Sequence, residues 1–239
     1  MMRYNKILNN RTFLIQLVLF VGVFTIILSC NKTHEGEFYN YENKNSTYDG
    51  NINDYLESRN GLYDSLLFII DRCPGMEDSL KTEDGTFFAV PNKCFDIALE
   101  NVNEYRKKQN LSFYSLKDLD SSILDTLMSR YFIKSVLTAD SIKFFTNGLL
   151  QPTIKYGYKM NLKYNRQDAS GYVGGGPQQI IFTDPKDTTF DIFWVSTYTT
   201  SVNIMVKNGI VNEVSTGHEF GFGELLSKLI ADKKRKDNQ

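Results

Sequence analysis

Histidine and tryptophan are nearly missing from this chain, with two His and one Trp in 239 residues. Metal chemistry built on several imidazoles is thereby excluded. Three cysteines are too few for a scaffold held by disulfides. Neither sign of charge dominates: 27 Lys+Arg stand against 28 Asp+Glu, a net charge of -1. That balance excludes a nucleic-acid binder driven by overall charge and a highly acidic solvating chain. Long apolar runs are scarce too. The longest, Phe13 to Leu28, has sixteen residues broken by Gln16, Gly22 and Thr25. As a helix it would reach roughly 24 Å, short of the ~30 Å hydrocarbon core of a bilayer. What remains is ordinary globular material, 41% apolar and 23% charged. The length suits one domain or two small ones.

The first thirty residues read as an address. Arg3, Lys6 and Arg11 precede the apolar run with no acid among them, and a small residue, Ser29, closes it. A positive start, a short apolar stretch and a small residue at the break are the parts of a secretory signal. Ile27-Leu28-Ser29-Cys30 resembles a bacterial lipobox, although Leu28 is bulkier than is usual there. The resemblance implies that residues 1–29 are removed and that Cys30 carries the lipid. Acyl chains contribute ~0.8 kcal/mol per buried CH₂, so two or three of them hold a soluble domain firmly on a membrane. Cleavage takes three cations and no acids, leaving 24 positive and 28 negative residues. Asn31 follows the cysteine, and then Glu35 and Glu37; this is similar to the surface-export tethers of Bacteroidetes lipoproteins. An outer-membrane, surface-exposed location is the expectation.

Residues 30–50 are polar, rich in Asn and Glu and without apolar period, and read as a flexible tether. A single domain is expected over 51–232, with a polar tail at 233–239. Leu62, Leu66, Ile69 and Ile70 lie on one helical face that ends at Cys73-Pro74-Gly75. Thr86 to Val90 is a short buried strand, and Pro91 opens a helix lined by Phe95, Ala98, Leu99 and Val102. Ile123, Leu124, Leu127, Met128 and Tyr131 mark another. From Ile154 onward the pattern is β: Tyr158–Tyr164, Gln179–Phe182, Phe190–Thr197, Val202–Val206 and Gly209–Val214, with turns at 174–177, 184–185 and Asn208-Gly209. A last helix places Leu225, Leu226, Leu229 and Ile230 on one face and runs into Lys233-Lys234-Arg235-Lys236. Helices first, a mostly antiparallel sheet later and a closing helix argue for an α+β fold.

Two segments carry a family resemblance. Thr86 to Phe95, TFFAVPNKCF, resembles the T-x-F-A-P-T-N-x-A-F box of fasciclin-type domains, and Met205 to Phe222, MVKNGIVNEVSTGHEFGF, resembles their closing NG-V-I-H-V box. The likeness would span residues 48–232. It implies a single fasciclin-like domain, helices packed on a mostly antiparallel β wedge, with Phe88, Asn92, Phe95, Tyr131, Asn208 and Gly209 as structural motif residues. It also implies an adhesion or ligand-binding role. The departures are specific: Val90-Pro91 replaces Pro-Thr, Phe132 stands where the family has the histidine of a Tyr-His pair, and Asn212 replaces the histidine of the second box. That pair is linked with receptor recognition in animal fasciclin proteins, so that activity is not carried over.

The rest of the chain offers little chemistry. His218, the one histidine of the domain, cannot supply a two-His zinc site and reads as a partly exposed turn residue beside Gly217. Asp49 to Asn53 begins like a calcium loop, but Asp54 stands where glycine is required and Asn60 where a bidentate Glu is expected. Gly174-Gly175-Gly176 lacks the Lys-Ser/Thr of a phosphate cradle and reads as a hairpin loop. No catalytic set, cofactor or metal is expected, and the chain is read as no enzyme; convergent carboxylates in a cleft would instead mark a glycan hydrolase. The envelope permits a disulfide between Cys73 and Cys94, worth ~3 kcal/mol by chain entropy. Cys94 at the small position of the first box favours two free buried thiols.

Aromatic residues are the suggestive feature, with 14 Tyr and 17 Phe. Read as one strand, FDIFWVSTYTT puts Ile192, Trp194, Ser196 and Tyr198 on one face. Trp194 is then either core or, with Tyr198 and the separate Tyr172 loop, a stacking surface for sugar rings. The partners expected are the membrane, through lipid on Cys30, and either an extracellular glycan or an outer-membrane protein; nucleic acid is not expected.

Overall fold

The structure, a computed structural model, describes residues 46–169 and 173–238. The signal segment, Cys30, most of the tether and Tyr172 lie outside the described residues.

Three short helices come first: α1 (Ile52–Ser58), α2 (Asp64–Arg72) and α3 (Met76–Thr82). Asn51 caps α1 through a reciprocal pair with Asp54, so the stretch that imitates a calcium loop is a helix start. Tyr48 and Gly50 pack there, and Thr47 bridges to Met205, so residues 47–50, expected within the tether, lie against the domain. Strand β1 (Gly85–Ala89) is buried on both faces; Phe87 and Phe88 both lie inside, where one outward ring would suit an exposed sheet. Helix α4 (Asn92–Lys108) follows, with Pro91 as its N-cap.

Next come α5 (Ser121–Met128), the two-residue β2 (Phe132–Ile133), the one-turn α6 (Ala139–Ile142) and the strands β3 (Leu149–Pro152), β4 (Lys159–Arg166) and β5 (Gln178–Asp184). Then β6 (Val195–Val206) and β7 (Gly209–Val214) form a hairpin, and α7 (Leu225–Asp237) closes the chain. Two expected strands, 190–197 and 202–206, are one long strand preceded by a 3₁₀ turn at Asp191–Phe193. Residues 233–237 belong to α7 and are no tail.

The sheet is mixed, in the order β2-β1-β7-β6-β5-β4-β3. Among the strands of the described residues, β1 and β7 pair in parallel and the other neighbours antiparallel. The two ends also meet: Ile133 bridges to Thr153, Lys134 N–H donates to Pro152 O at 3.0 Å, and Ile154 N–H to Phe132 O at 2.9 Å. The wedge expected from the resemblance is in this chain a nearly barrel-like sheet with helices packed on it, an α+β architecture. Inside it Phe88 stacks on Phe182 with ring centres 3.8 Å apart, and Phe95 packs on Phe220 at 4.6 Å. Each such ring contributes about 1.5–3 kcal/mol when buried.

The motif asparagines act across the fold. Asn92 Oδ1 accepts from Ser65 N–H at 2.8 Å, capping the start of α2 and not its own helix. Asn208 Oδ1 accepts from Ile52 N–H, and its Nδ2 donates to Leu80 O and Glu83 O, all at 2.9 Å. The hairpin turn itself is Lys207-Asn208; Gly209 is the first residue of β7, where a Cβ would sit 1.9 Å from Gly85 O. Asn212, at the family histidine position, is buried, and its Oδ1 accepts from Asn203 N–H at 3.0 Å.

Candidate functional site: an aromatic crest beside a groove

The connection from β5 to β6 begins with Asp184-Pro185 and then places Lys186 and Asp187, neither a glycine, at φ 55° and 51°. Each such residue costs on the order of 1 kcal/mol or more, and strain of this kind is kept where surrounding contacts fix it. Those contacts form a buried ionic cluster. Arg130 spans Asp184 at 2.5 Å and Glu224 at 2.7 Å. Lys186 reaches Glu224 at 2.5 Å and the carbonyl of Phe222 at 2.9 Å, while the Tyr158 hydroxyl donates to Asp184 at 2.6 Å. Arg130 and Lys186 pair with Asp184 and Glu224, and Lys228 reaches Glu224 at 3.6 Å from the rim, so each carboxylate has a cation beside it, the condition under which buried ions are tolerated. Burial pulls the Glu224 pKa up, but the hydrogen bonds from Arg130 and Lys186 outweigh it and hold the group down at about 2.

Above this base the chain makes its 3₁₀ turn and presents apolar side chains to solvent. Ile192 is 80% exposed, Phe190 66% and Phe193 60%; Val195 and Tyr198 continue the patch onto β6. Trp194 is neither core nor a free stacking face. It is half-buried, and its indole N–H donates to Thr188 O at 2.9 Å, folding the ring back to brace the loop. Since strand pairing starts only at Val195, the expected common face of Ile192, Trp194, Ser196 and Tyr198 does not exist; Ser196 and Tyr198 alone share it.

Beside the crest lies a groove of about 610 Å³. One wall is Val195 to Tyr198; the other is the turn after β7, with Ser215, Gly217, His218, Glu219 and Phe222. His218 is not a partly exposed turn residue. It is 6% exposed, with Nε2 2.6 Å from the Tyr131 hydroxyl and its ring packed on Phe222. Burial drives its pKa down to about 3, so the imidazole is neutral at pH 7. Cys94 and Cys73 are free and buried; Cys94 Sγ lies 3.4 Å from Ser215 O behind the groove. Burial pushes both thiols up to about 12. Among the described residues no group of three His, Cys, Asp or Glu could hold a metal ion, and no helix is long and apolar enough to cross a membrane.

Of the expected binding residues, the site contains Tyr198 as a surface and Trp194 as its brace. Tyr131 lies beneath the groove, whereas Phe88, Asn92, Phe95, Asn208 and Gly209 are parts of the frame. Arg130, Asp184, Lys186, Glu224 and the Tyr131–His218 pair were not legible beforehand, because the partners stand 38 to 94 residues apart.

No family model matches the chain, and no curated protein does. Among solved structures it is similar to a FAS1 domain pair from the insect cell adhesion molecule fasciclin I, at 11% identity and a TM-score of 0.47. The match covers 69% of this chain and 49% of that one, so the chain spans about half the length of that structure.

Proposed function

We propose that this chain is a membrane-tethered, non-enzymatic adhesion module that engages a protein partner through the crest and groove. The observation that carries the reading is the run of exposed apolar side chains Phe190, Ile192 and Phe193 on a loop fixed from below by ions. A monomer gains nothing from holding such a patch rigidly in water, and patches of this sort mark interaction sites. The two sequence boxes support a fasciclin-type module, and the lipobox at Cys30 supports an outer-membrane anchor. Neutral His218, spent on Tyr131, argues against a catalytic role. An accessory place in an outer-membrane assembly fits the same apolar face.

A glycan is the second reading, favoured by the exposed ring of Tyr198 beside Ser196, Ser215 and Glu219.

The test uses the full-length lipidated protein in vesicles, assayed for adhesion to cells of its source, with a double variant Ile192→Asp/Phe193→Asp. Loss of adhesion by a folded variant is expected; unchanged adhesion overturns the reading. A glycan array run with Tyr198→Ala separates the second reading. The anchor has its own check: mass spectrometry of the membrane-extracted protein should find acyl chains on Cys30 and no residue before it. An intact, unacylated N-terminus overturns the address.

A further inference from the structure

The groove is the place where the sheet lacks a strand. β6 has twelve residues and β7 six, and the last β7 residue paired to it is Val214, opposite Thr199. Ahead of Thr199, the residues Val195 to Tyr198 pair only with β5 on their other side. The one contact that continues the β7 side is Ser215 N–H to Tyr198 O at 2.8 Å. After it the chain turns away, His218 N–H closing back on Ser215 O at 3.0 Å. In an antiparallel strand the N–H and C=O of one residue point to the same side, and that side alternates along the chain. Tyr198 O faces the groove, so Ser196 offers both its N–H and its C=O there, with Tyr198 N–H beside them. Val195 and Thr197 point instead to β5. Elsewhere the ends of this sheet meet each other, and an open edge is a template for another strand.

We infer that the open edge of β6 at Ser196, ahead of the Tyr198–Ser215 bond, receives an extended peptide from a protein partner, which adds a strand in the groove and carries a basic side chain toward Glu219. This deepens the proposed function by naming the partner's chemistry, and it rests on that reading. The three residues Val195 to Thr197 present roughly 10 Å of edge, enough for about three residues of peptide. Main-chain bonds would give affinity and the alternate side chains specificity. Its side chains would meet Tyr198 on one face of β6 and Val195, bordering the crest, on the other. In the opposite wall it would meet Glu219, which is half-buried. No cation lines the groove.

The experiment selects displayed short linear peptides on the full-length protein in detergent and then measures the synthetic winners by fluorescence anisotropy. Expected winners alternate apolar and polar residues and carry Lys or Arg. Ser196→Pro removes the donor at the edge and should weaken them roughly tenfold or more. Glu219→Gln should weaken them several-fold and flatten the salt dependence. N-methylation of the peptide at alternate positions should abolish binding in one register only. That measurement decides the matter if Ser196→Pro does not fold. No enriched peptide, or peptides indifferent to both Ser196→Pro and N-methylation, overturns the inference. A dimer in sedimentation that Ser196→Pro dissolves would assign the edge to a second copy and likewise overturn it. Adhesion lost in Ile192→Asp/Phe193→Asp but intact in folded Ser196→Pro would sink this inference while leaving the adhesion reading standing.

Discussion

The phenol oxygen of Tyr131 lies 2.6 Å from Nε2 of His218, out of contact with solvent, and the same oxygen accepts the amide of Gly221 at 2.9 Å. One hydroxyl therefore joins the 3₁₀ turn Ser129–Tyr131 to two points, His218 and Gly221, of the segment that walls the groove. Because the imidazole is neutral, Nε2 and the hydroxyl share a single proton between them, in a direction set by the ring's tautomer.

Tyr131→Phe keeps the ring and its stacking on Phe220 and Phe222 but strands the Gly221 amide and Nε2. The expected cost is about 1–3 kcal/mol in urea unfolding, the penalty of unpaired buried groups. A loss below ~0.5 kcal/mol would mean that water replaces the hydroxyl.

Acid should destabilise the fold through His218. Its folded pKa, about 3, lies below the unfolded value near 6.5, so the unfolded chain binds the proton first. The contribution is complete above pH 6.5 and is lost as the pH falls toward 3, with a slope approaching 1.4 kcal/mol per unit. Glu224, held at about 2, adds a loss of the same sign below its unfolded value near 4.5. Melting curves at pH 7, 6 and 5 should show the decline, and His218→Gln should remove most of it. Parallel pH profiles for the two proteins would refute the assignment.

Arg130→Met leaves Asp184, fully buried, without its guanidinium. Breaking a buried pair from one side costs about 3–5 kcal/mol, and here the loop carrying the crest should loosen as well. Hydrogen exchange should rise across 185–194 in the variant. A variant as protected there as the parent would show that Lys186 alone fixes the loop.

Cys73 and Cys94 should resist a thiol reagent in the native protein at pH 8 and react together once it is unfolded, since burial holds both thiols up near 12. Rapid native labelling of either would contradict their burial.

Periodicity made the helix faces legible: Leu66, Ile69 and Ile70 are buried as their spacing requires, and Phe95, Ala98 and Val102 likewise. Gly209–Val214 coincides with β7 because a turn and β-branched residues bound it. The β5–β6 connection was misread for a physical reason. Phe190 to Trp194 has strand composition, but Asp187 and Asp191 and the left-handed residues at 186 and 187 turn it into a loop. A run of aromatics looks the same whether it faces a core or water. The ionic cluster and the Tyr131–His218 contact are tertiary, assembled from residues with no local pattern between them. Asn208, by contrast, was singled out by its box, although its three long-range bonds could not be foreseen.

The length of β6 has a mechanical consequence. The crest borders its start at Val195, and Thr47 is bridged to Met205 near its end. Ten residues separate those points, roughly 33 Å along one strand. A force applied between the crest and Thr47 would therefore run along β6. Its ladder bonds lie across that line and are loaded in shear, many at once, instead of being peeled one by one from an end.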